Sequence, residues 1–78
     1  MPDRRLPKHS VVIAGHATSV SLENEFWDAL KIQAGKEGLA LAALLARLDK
    51  ERIRNNPQPP SLASTARVYV LKKLQDNR

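Results

Sequence analysis

The first pattern in the chain is that of extended backbone, over residues 8–22. β-branched side chains are concentrated there, and from residue 17 onward apolar and polar positions alternate with the two-residue period of a strand. Thr18, Val20 and Leu22 fall on one face, and Ala17, Ser19 and Ser21 fall on the other. Gly15 interrupts the segment, which therefore forms either two short strands with a turn at Gly15-His16 or one strand with a bulge there.

Two amphipathic helices are predicted next. The first covers residues 23–37, where Phe26, Leu30 and Ala34 recur at four-residue intervals and Gly38 ends the helix. The second covers residues 40–52. Its apolar stripe consists of Leu41, Leu44, Leu45 and Leu48. Two helices joined by a short glycine turn would pack against each other and cover one face of the strand region.

A third helix is predicted over residues 62–75, after a proline-rich break at residues 57–60. Ser61 is a suitable N-cap for it, because a serine hydroxyl can accept a hydrogen bond from the first turn. Its predicted apolar face consists of Ala66, Val70, Leu71 and Leu74, with Leu62 and Tyr69 beside them. The chain is therefore predicted to be mainly α with a short N-terminal β element.

The shortness of the chain favours self-association. A chain of 78 residues buries a small fraction of its surface, and the lack of cysteine excludes disulfides. His9 and His16 lack the spacing of metal ligands, and we predict no cofactor. A lone strand or hairpin is marginally stable in water, so we predict a homodimer in which strands from two chains form an antiparallel ribbon.

The net charge of +5 favours an anionic partner such as nucleic acid. The excess lies at the two ends, with +2 in residues 1–22, zero in residues 23–56 and +3 in residues 57–78. Residues 1–7 are predicted to form a flexible basic arm ahead of a single domain, residues 8–78. Since the chain has neither a membrane span nor a secretory signal, we predict a cytoplasmic protein with no membrane partner.

Catalysis is not predicted. The chain has no glycine-rich phosphate loop and no local signature of a Ser/His/Asp set. Glu23 and Glu25 are carboxylates close in sequence, but at a helix start they favour the helix dipole. The protein is therefore not expected to be an enzyme.

Several short motifs resemble the ribbon-helix-helix family of DNA-binding proteins. Residues 18–23 (TSVSLE), followed by Phe26-Trp27 and Leu30, resemble its junction between strand and first helix. Gly38-Leu39-Ala40 resembles the glycine turn that opens its second helix. Residues 8–16 (KHSVVIAGH) and 67–71 (RVYVL) resemble a bacterial subfamily with an added C-terminal helix. The resemblance covers about residues 8–74 and implies an intertwined ribbon-helix-helix homodimer with that extra helix.

The resemblance also implies a function. Ribbon-helix-helix proteins bind double-stranded DNA, usually as transcriptional regulators or repressors, and insert the paired strands into the major groove. The implied base-facing residues are Ala17, Ser19 and Ser21. The residues implied to contact phosphate or set the register are Arg4, Arg5, Lys8 and His16, with Leu39 and Ala40 at the start of the second helix. The implied dimer core comprises Val20, Leu22, Phe26, Trp27, Leu30, Leu41, Leu44, Leu45 and Leu48.

Three positions depart from the family pattern and keep other functions open. Ala17 replaces a longer side chain, Ala40 replaces a polar helix cap, and Gln33 lies where an apolar residue is common. His16 is either a DNA contact or a turn residue without a binding role. The main alternative is a protein-interaction module or antitoxin with the same dimeric fold, whose C-terminal helix docks a protein partner. A further alternative is binding of that basic helix to a membrane surface.

Overall fold

The computed structural model describes residues 6–76. Two antiparallel strands, β1 (Lys8–Ile13) and β2 (His16–Ser21), form a hairpin. Three helices follow, namely α1 (Asn24–Lys36), α2 (Leu41–Asn55) and α3 (Leu62–Asp76). Of the two alternatives for the first segment, the structure therefore has two strands.

The hairpin turn consists of Ala14 and Gly15, one residue earlier than the predicted turn at Gly15-His16. Both residues have positive φ, 51° and 82°. A two-residue loop with positive φ at both positions has a twist that matches the flanking strands. His16 pairs with Ile13 and is the first residue of β2. At the other end, the Leu22 N–H donates to the Pro7 carbonyl at 3.0 Å and extends the pairing beyond the strands.

Local chemistry explains where the helices begin and end. After α1 the chain turns at Gly38, whose φ is 71°, and the Leu39 N–H donates to the Ala34 carbonyl at 2.9 Å. α2 continues past its predicted end at residue 52 as far as Asn55, and the next residue is extended ahead of Pro57. Ser61 caps α3 as predicted, since its Oγ accepts from the Ser64 N–H at 3.1 Å.

The core lies between the inner side of the hairpin and the three helices. Leu22, Leu30, Leu44 and Leu45 are completely buried. The other buried apolar side chains are Ile13, Val20, Trp27, Ala34, Leu48, Ala66 and Val70. Among the described residues, the helix that contacts β1 is α2 and the helix that contacts β2 is α3. The two helices therefore cover the hairpin side by side.

The apolar face of α3 differs from the predicted one. Ala66 and Val70 are buried, but the side chains of Leu71 and Leu74 are 51% and 64% exposed. At 100° per residue, Leu71 lies about 140° around the helix from Ala66. A helix with apolar residues on several sides cannot turn all of them toward one core, and here the side centred on Ala66 faces inward.

A polar cluster of Gln33, Glu37, Arg47 and Tyr69 joins the three helices near the end of α1. The Glu37 carboxylate accepts hydrogen bonds from the Tyr69 hydroxyl, from Gln33 Nε2 at 3.0 Å and from Arg47 at 2.7 Å. These bonds, with that from Tyr69 the strongest, lower the pKa of Glu37 from 4.5 to about 2. Burial, and then the hydrogen bond to Glu37, raises the pKa of Tyr69.

The first testable prediction concerns the acid stability that Glu37 supplies. The pKa of Glu37 is about 2 in the folded chain and 4.5 ordinarily. The stabilising effect of its carboxylate is therefore complete above pH 4.5 and is lost as the pH falls toward 2. Glu37→Gln is expected to lower the free energy of unfolding at neutral pH by about 1 kcal/mol, since the partly exposed site is screened by water. The difference from wild type should shrink as the pH approaches 2.

Urea unfolding followed by circular dichroism across this pH range measures the effect. Asp28→Asn removes a carboxylate from an exposed position of α1, the helix that Glu37 follows, and is the matched control. A Glu37→Gln deficit that is equally large at acidic and neutral pH would contradict the assigned role.

Candidate nucleic-acid interface

The pairing register of the hairpin defines an outer face on the side away from the core. Lys8 pairs with Ser21, Ser10 with Ser19 and Val12 with Ala17. These six residues form the outer face of the hairpin; Ser21 is half-buried and the other five are exposed. The structure thus places the predicted base-facing residues together, with Lys8 beside them.

Two members of this face, Ser10 and Val12, are absent from the residues predicted from sequence. The run Val11-Val12-Ile13 is apolar throughout and hides the alternation of β1. The pairing register shows which residues of β1 face outward, because Ile13 is buried whereas the Val12 side chain is 61% exposed. The signal that could have found them is the two-residue turn, which fixes the pairing of every residue in β1.

The outer face is small. Apart from Lys8 it consists of short, uncharged side chains, so it carries one charge. A serine hydroxyl can donate to or accept from several base edges, and the apolar Val12 and Ala17 can contact a thymine methyl group. Short side chains also let the backbone approach another surface closely. Lys8 is the cation of this face and lies at the end away from the turn, opposite Ser21.

The other predicted phosphate contacts are spread over the chain. His16 is exposed at the turn end of β2. Arg4 and Arg5, in the predicted arm, lie outside the described residues. Pro7, the last residue of that arm, is fixed to the sheet by its bond from Leu22. Lys8 and His16 therefore lie at opposite ends of the hairpin.

The start of α2 offers backbone amides without a side-chain cap. Ala40 is the N-cap residue, has extended backbone and makes no side-chain capping bond. The first amides of a helix lack intrahelical acceptors and lie at the positive end of its dipole, so they suit an anion. Ala40 is exposed, whereas Leu39 is half-buried and packs against the core. Of these two predicted residues, Ala40 is thus the accessible one.

The start of α2 and the outer face of the hairpin are separate surfaces within one chain. α2 borders the hairpin tip through its middle, where Ala46 and Lys50 line a depression with Ile13 and Ala14. Ala40 lies nearly two helical turns before this point. Lys50 is exposed beside the tip, and the sequence pattern alone did not indicate its proximity to the hairpin.

The residues predicted to form a dimer core lie in the core of the single chain. Those that are buried there are Val20, Leu22, Trp27, Leu30, Leu44, Leu45 and Leu48. Phe26 and Leu41 are partly buried against them. Trp27 stacks on the His9 ring, with centroids 4.2 Å apart and planes 10° from parallel. His9 Nε2 also lies 3.1 Å from the carbonyl oxygen of Leu22, which ties β1 to the residue that follows β2.

Other kinds of site are not found in residues 6–76. This part of the chain contains no group of three or more His, Cys, Asp or Glu residues that could hold a metal ion. None of its helices combines the length and hydropathy needed to cross a membrane. The features that remain as candidates are the outer face of the hairpin, the start of α2 and the basic groups near them.

These elements define a small helical protein with an N-terminal β-hairpin and an exposed strand face. The family model of the ribbon-helix-helix domain matches residues 6–74. The chain therefore belongs to the ribbon-helix-helix family and has an extra C-terminal helix. This domain is a regulatory fold of the DNA-binding, transcription-factor type rather than an enzyme fold. No curated protein and no solved structure is significantly similar to the chain.

The missing cap of α2 generates the second prediction. Ala40→Ser adds a hydroxyl that can accept from the amides of the first turn and should raise the free energy of unfolding by about 1 kcal/mol. Ala43→Ser, at an exposed position within the same helix, should instead lower it by about 0.5 kcal/mol. Thermal and urea unfolding measure both. Equal effects of the two substitutions would show that Ala40 is not the N-cap.

Proposed function

We propose that the protein is a homodimeric, sequence-specific DNA-binding protein that acts as a transcriptional regulator, in particular a repressor, in a bacterial cytoplasm. Two β2 strands, one from each chain, form the ribbon that enters the major groove. The observation that supports this best is the outward-facing row of the exposed Ala17 and Ser19 and the half-buried Ser21 in a chain of the ribbon-helix-helix family.

The free edge of β2 supports the dimer. In the two-stranded sheet of the described chain, β1 occupies one edge of β2 and no strand occupies the other. An open edge presents unpaired N–H and C=O groups and is a template for another strand. Antiparallel pairing of β2 with β2 of a second copy gives the open edge of each β2 a partner strand. Such pairing is compatible with twofold symmetry.

The width of the resulting sheet separates the roles of the two strands. Four strands at their usual spacing place the two β1 strands about 14 Å apart, which exceeds the roughly 12 Å width of the major groove. The two β2 strands would then enter the groove while the β1 strands lie along its edges. Ser19 and Ser21 would face bases, and Lys8 of β1 would meet the phosphate backbone.

Backbone amides supply a further phosphate contact in this proposal. The start of α2 at Ala40 is exposed, uncapped and without an acidic residue in its first turn. An anion there would be held by amides and the helix dipole rather than by a side chain. Such a contact fixes the orientation of the protein on the duplex and carries no base information itself.

The alternative function, a protein-interaction module or antitoxin, has one observation in its favour. The side chains of Leu71 and Leu74 on α3 are more than half exposed. Grouped apolar side chains that are exposed rather than packed in the core are a common feature of protein interfaces.

The third prediction tests the phosphate role of Lys8. Lys8→Ala is expected to weaken binding to random and preferred duplexes alike, because it removes a charge contact rather than a base contact. Two lysines are lost per dimer, so the slope of log affinity against log salt should become shallower by about 1.8. Fluorescence anisotropy with a random-sequence duplex pool over about 50–200 mM KCl measures the slope.

Lys31→Ala, on the exposed side of α1, removes the same charge away from the hairpin and is the matched control. It should leave the slope nearly unchanged. Failure of the wild-type protein to bind any duplex at the lowest salt concentration would overturn the proposed function.

The fourth prediction separates base contacts from backbone contacts. Ser19→Ala removes one hydroxyl per chain from the groove-facing strand and should lower the affinity ratio of selected over random duplex by about tenfold. Ser10→Ala makes the same chemical change on its cross-strand partner in β1 and should lower both affinities without changing that ratio. Duplexes recovered by selection from a random pool provide the preferred sequence. Equal loss of discrimination in both variants would contradict the assigned division between the strands.

A further inference from the structure

A shallow groove lies between α1 and α3, and we call it the α1–α3 groove. Its apolar lining consists of Ala29 and Ile32 of α1 and of Val70 and Leu74 of α3. One lysine from each helix also lines it, Lys36 and Lys73. In the described part of the chain, neither strand of the hairpin nor the start of α2 contributes to this lining. The groove is therefore separate from the surfaces that the proposed function assigns to DNA.

Two of the apolar residues in this lining are widely exposed. The side chains of Ile32 and Leu74 are 62% and 64% exposed, whereas Val70 is buried and Ala29 is half-buried. A single exposed apolar residue needs no explanation. Here, however, one exposed apolar side chain from each of two helices borders the same apolar depression, and such grouping indicates an interaction surface.

The size of the α1–α3 groove favours a side chain of another protein over a cofactor. The groove has a volume of about 120 Å³. Sites that bury a small-molecule ligand or a cofactor usually have volumes of roughly 300–1,000 Å³. Protein partners, in contrast, often bind by inserting one apolar anchor side chain into a small pocket and surrounding it with polar contacts.

The two lysines of the groove are available to an acidic ligand. Lys36 is exposed, and the Nζ atom of Lys73 lies 5.5 Å from the centre of the Tyr69 ring. Within residues 6–76, neither lysine forms an ion pair with a carboxylate. Glu37 follows Lys36 in sequence, but its carboxylate is already bonded to Tyr69 and Arg47. The groove therefore combines an apolar lining with two unmatched positive charges.

This combination argues against two other occupants. A second copy that packed the same groove against this one under twofold symmetry would bring the lysines of both chains together, and like charges across an interface are unfavourable. A DNA backbone would satisfy Lys36 and Lys73 but would leave Ile32 and Leu74 against charged phosphates. The complementary occupant is a protein segment that carries both carboxylates and an apolar side chain.

We propose that the α1–α3 groove binds a short acidic segment of a partner protein. An apolar side chain of that segment lies between Ile32 and Leu74, and its carboxylates pair with Lys36 and Lys73. This inference goes beyond DNA binding and does not depend on it, because the groove and the outer face of the hairpin share no residue. Binding of the segment leaves the residues assigned to DNA free.

Selection from a library of random displayed peptides tests the inference on the full-length protein. The enriched peptides should carry an apolar residue flanked by Asp or Glu. Fluorescence anisotropy with the synthesised peptides then measures their dissociation constants. Ile32→Ala should raise these constants about tenfold, because it removes apolar contact area from the groove. Ile53→Ala, at a comparably exposed isoleucine of α2 outside the groove, is the matched control and should bind like wild type.

A charge substitution tests the same groove without changing its apolar lining. Lys36→Gln should weaken binding of the acidic peptides and make it less sensitive to salt, because one attractive charge pair is lost. Lys31→Gln removes the same charge from an exposed position of α1 outside the groove and is the matched control. Circular dichroism should show unchanged helical signals for all four variants.

Several outcomes would overturn the inference. These are a selection that enriches no peptide, enriched peptides without carboxylates, and equal binding of the peptides by wild type and Ile32→Ala. Binding of wild type, but not of Ile32→Ala, to phosphatidylglycerol vesicles in place of peptides would assign the groove to a membrane surface. Weaker dimerisation of Ile32→Ala in sedimentation would assign it to a second copy.

DNA binding by the same variants separates this inference from the proposed function. Ile32→Ala and Lys36→Gln should bind duplex DNA like wild type while they lose affinity for the acidic peptides. If wild type binds the peptides through the groove but binds no duplex, the proposed function fails and the groove assignment stands. If wild type binds duplexes but selects no acidic peptide, the reverse holds.

Discussion

Backbone pairing between β1 and β2 is the constraint on which the rest of the structure depends. Because side chains alternate across a strand, a slip of one residue would exchange the two faces of the hairpin. The observed register directs Val20 and Ile13 into the core and leaves Ser19 and Ala17 exposed. One set of hydrogen bonds thus determines both what the helices can pack against and which side chains remain available to a ligand.

The sequence predicted the second strand better than the first for a physical reason. Alternation of polar and apolar residues is visible in β2, and the faces assigned from it agree with the burial of Val20 and the exposure of Ser19. In β1 the apolar run conceals the alternation, and the decisive feature is the turn. Ala14 adopts a positive φ that alanine disfavours, so its identity gave no indication that the turn begins there.

The side of α3 that faces inward could not be predicted either. Its apolar residues are distributed around much of the helix, and the inward side is selected by contacts that are distant in sequence. Tyr69 binds Glu37 and Arg47 on one side, and Arg67 binds Glu23 on the other. These polar contacts form in the rotation of α3 that directs Ala66 and Val70 into the core. In that rotation, Leu71 points away from the core regardless of its hydrophobicity.

The chemistry of the outer face limits how DNA can be recognised. Serine and alanine distinguish bases weakly, in contrast with the paired hydrogen bonds of longer side chains. Selectivity would therefore depend on combining the contacts of two chains in a fixed relative orientation and on the shape of the duplex that this orientation accepts. A rigid dimer matters more for such a face than for one with long, adaptable side chains. In this protein, α3 lies over the strand that would carry the readout, so its packing bears directly on the precision of the ribbon.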